Sequence, residues 1–216
     1  MSGAISMGGF AALRRFAEAQ TPAERCELCG QVLPATHEHL LEPHDRRIHC
    51  ACQACAILFS GTDLRYRRVP KRVVDLAPFQ LSEIQWQALM LPINLAFFFQ
   101  SAAAGPPVAF YPSPAGAVQS SLQEQSWAEI VLANPALGQM EPAVEALLVN
   151  RLGSSHGFAD HEYYRTPMDV CFELCGVIRR DWRGLSGGRV VRQEIHRFFG
   201  HLKSRARPSA AEAPRA

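Results

Sequence analysis

The chain has 216 residues, of which 48% are hydrophobic and 19% charged, with a formal net charge of +2. Those proportions exclude a disordered chain, a collagen and a coiled coil, and a chain this long buries enough core that a metal ion need not be its only support. The charge is uneven: residues 1–72 carry ten Lys/Arg against seven Asp/Glu, residues 73–178 two against ten, and residues 179–216 ten against three. A basic-acidic-basic layout fits a nucleic-acid or acidic-protein partner. The simpler reading is that the acidic middle neutralises the two ends, because no aromatic-interleaved basic stripe accompanies the charge.

Residues 1–23 read as an N-terminal arm in which Phe10 to Gln20 form a short amphipathic helix. Arg14-Arg15-Phe16 resembles a twin-arginine signal, but Glu18 and a polar stretch stand where an apolar segment should follow. Seven cysteines, an odd number with five of them between residues 26 and 55, give a cytoplasmic pattern.

Residues 24–72 carry the strongest chemical signal. Cys26-Glu27-Leu28-Cys29-Gly30 and Cys52-Gln53-Ala54-Cys55 are two Cys-x₂-Cys pairs separated by 22 residues. Two residues between thiolates let both sulfurs converge on one tetrahedral ion, and two such pairs fill its shell. Gly30 follows the first pair where a knuckle needs positive φ. His37–Leu41, a turn at Glu42-Pro43-His44-Asp45, and Arg46–Cys50 read as a hairpin, and the second pair enters the apolar start of a helix at Ala56-Ile57-Leu58-Phe59. Knuckle, hairpin and helix resemble a treble clef; a zinc ribbon, with a second knuckle, is the alternative. Zinc (Zn2+) is the expected occupant of Cys26, Cys29, Cys52 and Cys55, with iron (Fe) the alternative for the same ligand set.

Cys50 is a spare thiol that packs under the hairpin, replaces a ligand or serves metal transfer. His37 and His39 share one strand face, from which one could donate to a sulfur or substitute as a ligand, but with His44 and His49 they read first as ordinary hairpin histidines, since four cysteines already complete a shell. Arg65-Tyr66-Arg67-Arg68-Val69-Pro70-Lys71-Arg72 suits a short edge strand whose basic side chains discourage aggregation.

Residues 73–202 read as an α+β domain with a small, mainly antiparallel sheet of three or more strands. Ser82 caps a helix to about Met90, with Glu83 in its first turn and Pro92 beyond it. No residue between Glu83 and Glu124 is charged, yet Pro92, Asn94, Gln100, Gly105, Pro106 and Pro107 interrupt the run. No window there supplies the roughly 20 apolar residues of a membrane span. Two buried strands, Ile93–Gln100 and Val108–Tyr111, account for it better. A helix from Ser121 to about Ala133 ends at Asn134-Pro135, and residues 144–152 read as a strand. Thr166-Pro167 opens a helix running to Trp182, and a last helix spans Val190 to Leu202. Residues 203–216 read as a disordered tail.

The remaining signals carry little chemistry. Cys171 and Cys175 lie four apart on a helical face, where small core residues explain them. Tyr111-Pro112-Ser113-Pro114-Ala115-Gly116 is a turn without a catalytic base beside Ser113, and Gly184-Leu185-Ser186-Gly187-Gly188 lacks the strand a dinucleotide fingerprint requires. Glu145, Asn150, Arg151, Asp160, His161 and Asp169 form no recognisable acid/base constellation.

The run from Cys26 through Phe59, with Tyr66-Arg67-Arg68-Val69-Pro70, Ala109-Phe110-Tyr111-Pro112-Ser113-Pro114-Ala115-Gly116, Val144-Glu145-Ala146-Leu147-Leu148-Val149-Asn150-Arg151 and Trp182-Arg183-Gly184-Leu185-Ser186-Gly187-Gly188, resembles a bacterial family of uncharacterised function associated with gene clusters of uptake-type nickel-iron hydrogenases. The resemblance covers residues 24–202. It implies an accessory role with hydrogenase subunits or maturation factors as partners, and no activity. The family's pattern carries the four paired cysteines, Cys50 and Cys171, whereas Cys175 stands where an aliphatic residue is expected. The expectation from sequence is a non-enzymatic, zinc-binding accessory protein acting through protein contacts, with an iron redox or metal-delivery protein as the alternative and nucleic-acid binding through the zinc module third.

Overall fold

The computed structural model describes residues 23–61, 64–100, 107–153, 161–184 and 187–209. The expected helix over residues 10–20, Asp160 and most of the 101–107 loop lie outside them. The strands are β1 (Glu38–Glu42), β2 (Arg47–Ala51), β3 (Arg67–Arg68), β4 (Val74–Asp75), β5 (Leu95–Gln100), β6 (Pro107–Ser113), β7 (Gly116–Ser120), β8 (Glu145–Asn150), β9 (Glu162–Pro167) and β10 (Arg207–Pro208). The helices are α1 (Gln53–Phe59), α2 (Glu83–Ala88), α3 (Glu124–Ala133), α4 (Met168–Asp181) and α5 (Gly188–Arg205), with a 3₁₀ turn at Pro135–Gln139.

Seven strands form the larger sheet in the order β10-β4-β9-β8-β5-β6-β7, antiparallel throughout except for the β10–β4 pair. Side chains alternate across a strand, so the unbroken apolar run Leu95–Phe99 has to be covered on both sides of the sheet. Leu95, Phe97 and Phe99 pack with Leu148, Tyr164, Met168, Cys171, Leu174, Phe199 and Leu202 under α4 and α5. Ala96 and Phe98 pack with Leu147, Val149, Trp86, Trp127 and Ile130 under α2 and α3. The uncharged middle of the sequence is thus the centre of a sheet with helices on both faces, and no helix among the described residues is long and apolar enough to cross a membrane.

Local chemistry sets most helix ends. Ser82 and Gln85 form a reciprocal capping box at α2. The helix stops at Ala88, with Met90 at φ 53, before Pro92 is reached. Thr166-Pro167, expected to open a helix, instead closes β9, and α4 begins at Met168 with Asp169 in its first turn. The strand escapes sequence patterning because its inward positions include Arg165 and Thr166, both buried; Thr166 Oγ1 lies 3.4 Å from Cys171 Sγ. The expected tail also begins too early: α5 continues to Arg205, and Arg207 and Pro208 pair with Val74 and Asp75.

A second, three-stranded antiparallel sheet, order β2-β1-β3, belongs to the cysteine-rich region. β1 is the wall between two small cores. Leu40 packs against Cys26, Cys52, Cys55, Leu33, Ala51 and Ala56. Its neighbour Leu41 points the other way, onto Val69, Ala143 and Val144 at the foot of β8. Charge reinforces that joint, because Arg72 Nε donates to the fully buried Glu145 at 2.8 Å and Arg72 Nη2 to Glu141 at 2.5 Å.

Candidate metal centre

The first cysteine pair sits on a closed turn. Gly30 N–H donates to the Cys26 carbonyl and Cys26 N–H to the Gln31 carbonyl, both at 2.8 Å. Gly30 has φ +77, and an added Cβ would meet nothing within 4 Å, so conformation and not space requires glycine there. Glu27, at the tip of the turn, pins it to β2: its carboxylate accepts from Cys50 N–H at 2.9 Å and lies 2.9 Å from His49 Nδ1. Burial works to raise the Glu27 pKa, but those two partners and Arg47 bring it below the ordinary glutamate value.

The second pair stands at the start of α1. Cys52 is the N-cap residue, its Sγ accepting from Cys55 N–H at 3.5 Å, and Cys55 faces inward from the first turn. Pairing of β1 with β2 brings this helix start under the knuckle, and all four sulfurs lie within 4.8 Å of one another. Cys29 Sγ and Cys52 Sγ are 3.7 Å apart. Two sulfurs on one tetrahedral ion with metal–sulfur bonds of about 2.3 Å stand roughly 3.8 Å apart, so the Cys29–Cys52 spacing matches such an ion and the four residues together are placed where they could hold one.

The protonation pattern points the same way. Burial pushes Cys26 up, yet backbone hydrogen bonds at Cys52, Leu28 and Cys29, with the Cys29 thiol, bring it down to about 6. Cys55 is pushed far above the ordinary thiol value by burial and by the neighbouring sulfurs. Four crowded thiols cannot all ionise against one another, whereas a dication supplies the missing positive charge. Cys26, Cys52 and Cys55 are buried and Cys29 is exposed.

Other sequence candidates separate clearly. Cys171 and Cys175 are buried core thiols, both pushed up by burial, Cys175 to about 12. Most of the basic stretch is paired internally: Arg65 with Glu42 at 2.6 Å, Arg68 and Lys71 with Glu38 at 2.8 and 2.7 Å, and Arg72 across the joint. Arg151 donates to Glu83 at 2.6 Å and lies over the Trp86 ring, while Asn150 donates to Glu162 at 2.8 Å. Asp169 is drawn into another group altogether, 2.5 Å from His39 Nδ1. His37, His39 and Cys50, which the sequence offered only singly as substitute ligands, each offer a donor atom within 4.8 Å of the others, a convergence of three visible only in the fold. Its signal was the hairpin: alternation puts residues 37 and 39 on one face, and the register that pairs His39 with Cys50 completes the set.

No solved structure matches this chain. Over 76 residues, 35% of its length, the chain is 42% identical to PDZ domain-containing RING finger protein 4 of Homo sapiens, and it spans only 6% of that protein. A family model matches residues 25–206, from the first knuckle to the end of α5, including every strand but β10. The chain therefore belongs to a family of unknown function, DUF5947.

Proposed function

We propose that this protein is a non-enzymatic zinc-binding accessory factor that acts through protein contacts in the assembly or function of a nickel-iron hydrogenase. The observation that supports the metal, and a structural role for that ion, is the convergence of four cysteine sulfurs within 4.8 Å. Four thiolates close a tetrahedral shell, and a catalytic zinc needs an open position. The bound ion's chemistry is structural: it neutralises the thiolates and ties knuckle to helix. Cys26 and Cys29 hold it from the turn, Cys52 and Cys55 from the N-terminus of α1, and the order knuckle, hairpin, helix supports a treble-clef module.

Support for protein contacts comes from α1, which exposes Ile57, Leu58 and Phe59 at 61%, 69% and 47%, with Leu64 just beyond it. Contiguous exposed apolar side chains mark interaction surfaces. The basic stretch supplies less than its composition suggests, since its charges serve Glu38, Glu42 and Glu145. The hydrogenase assignment rests on the resemblance of the quoted segments.

The test is elemental analysis and absorbance of anaerobically purified protein, joined to a pull-down from its own cells and hydrogenase assays in a deletion strain. Colourless protein with one tetrathiolate zinc, co-purifying hydrogenase components and reduced hydrogenase activity are expected. Red ferric tetrathiolate would move the reading to an iron redox protein. Full hydrogenase activity in the deletion strain would remove the hydrogenase assignment.

A further inference from the structure

We propose that His37, His39 and Cys50 form a second metal site, open where the tetrathiolate is closed, that takes an exchangeable borderline dication such as Zn2+. The site is independent of the tetrathiolate reading and draws on different atoms.

Its geometry begins with the hairpin. His39 lies opposite Cys50 in the β1–β2 register, and His37 precedes His39 by two residues. The His37 and His39 rings meet edge to face, with centroids 4.9 Å apart and Nε2 atoms 3.2 Å apart. What faces the outer nitrogens decides the state of the inner ones. His39 Nδ1 lies 2.5 Å from Asp169 Oδ2. His37 Nδ1 lies 3.1 Å from the Pro34 carbonyl, with Glu24 Oε2 at 3.6 Å. A carbonyl or an ionised carboxylate only accepts, so both Nδ1 atoms carry the proton in the neutral rings. The two Nε2 atoms then face each other at 3.2 Å, an arrangement satisfied either by a proton on one ring, as an Nε2–H···Nε2 hydrogen bond, or by a metal ion between them.

A metal ion fits that arrangement with the right dimensions. Two nitrogens bound to one tetrahedral zinc at about 2.0–2.1 Å stand roughly 3.3 Å apart. The Asp169–His39 contact reproduces the carboxylate–histidine support that orients metal-bound imidazoles, and here it reaches from α4 to the hairpin. Two imidazoles and a thiolate suit zinc-class ions and not magnesium or calcium. Binding transfers the Cys50 thiol proton to solvent as the sulfur becomes a ligand.

Three protein ligands leave one position for water or another exchangeable donor. His37 and His39, though not Cys50, line a cavity of about 460 Å³ together with Lys71, Asp169, Glu173 and Arg205, which opens the histidine side of the site to solvent. A closed tetrathiolate retains its ion, whereas a three-ligand site beside a cavity exchanges one.

The experiment is a zinc titration of the metal-stripped full-length protein against a chromophoric chelator, checked by elemental analysis. Wild type should bind two equivalents and the His37→Ala/His39→Ala variant one. Asp169→Asn, which leaves every ligand in place, should still bind two but hold the weaker one about 10–100-fold less tightly. If the histidine variant loses its fold by circular dichroism, the Asp169→Asn affinity decides. Wild type binding a single ion that the histidine variant keeps would overturn this site and leave the tetrathiolate standing. A single ion lost in the histidine variant would support this site and overturn the tetrathiolate instead. Two equivalents in both proteins, or an unchanged weaker affinity in Asp169→Asn, would also overturn it.

Discussion

The cysteine-rich region and the sheet that follows it bury their interiors by different means. Around β5, β8 and β9 the core is built from Phe97, Phe98, Leu147, Leu148 and Tyr164, large side chains with almost no exposure. Around the knuckle the buried set is Cys26, Cys52 and Cys55 with Leu33, Leu40, Ala51 and Ala56. Burying a Leu or Phe stabilises by roughly 1.5–3 kcal/mol, and the knuckle core has only two side chains of that size. The sheet thus stands on apolar burial, while the module has in its place four cysteine sulfurs gathered within 4.8 Å, where one ion could join them. Between them lies the joint of Leu41, Val69, Ala143 and Val144 with the Arg72–Glu145 pair, which makes the two regions mechanically adjacent.

Cys52→Ser should have the largest effect, because it removes both a ligand and the N-cap sulfur of α1. Structural zinc binding carries about 10–16 kcal/mol in small modules, so residues 24–60 should lose their amide protection while β5, β8 and α4 keep theirs. Hydrogen exchange followed by mass spectrometry reads this directly. Simultaneous loss of protection in β5 and β8 would break the distinction and make the protein one cooperative unit.

Phe97→Ala is the mirror experiment. The ring is fully buried, stacked on Phe110 and edge-on to Phe172. Its loss should cost roughly 3–5 kcal/mol in a urea titration, with metal content unchanged in the folded fraction. A variant that loses metal at concentrations of urea where its sheet is intact would show that the module draws support from the sheet core.

Arg72→Ala probes the joint. It leaves the buried Glu145 carboxylate with Arg165 Nε at 3.9 Å and the Glu141 N–H at 2.8 Å. Removing one partner of a buried ion pair costs about 3–5 kcal/mol, and the half-exposed Arg72 places the expected loss near 3 kcal/mol. Arg72→Ala/Glu145→Gln should recover part of it. No recovery in the double variant would mean that Arg72 stabilises by packing and not by charge.

The smallest effect is a pH dependence confined to the module. Hydrogen bonding from Arg68, opposed by burial and helped by Lys71, holds Glu38 below the ordinary glutamate value. A depressed carboxylate contributes stability above its unfolded pKa and loses it as pH falls through the folded value. The stability gap between wild type and Glu38→Gln should therefore be present at neutral pH and close in acid. A gap independent of pH would assign Glu38 a packing role.

Much of this architecture was readable in order of residues alone, and the reason is locality. The two Cys-x₂-Cys pairs, Gly30 after the first, the hairpin between them and the apolar helix start after Cys55 are short-range patterns. The unbroken run from Leu95 to Phe99 announced a strand buried on both faces, and Ser82 announced the start of α2. What stayed hidden depended on contacts between distant segments. β9 was masked by Arg165 and Thr166, whose burial is tolerable only because Gln139 lies 3.4 Å from the Arg165 guanidinium, Glu145 is close by, and Thr166 meets Cys171. The five basic residues before position 73 read as the charged face of an edge strand until the fold delivered Glu38, Glu42, Glu141 and Glu145 to four of them. Sequence by itself determined that four thiolates could share one ion, since ligand spacing is a property of a few adjacent residues. Only the tertiary structure decided that His39 would meet Asp169, 130 positions away, because an imidazole takes its role from whichever group folding sets against its second nitrogen.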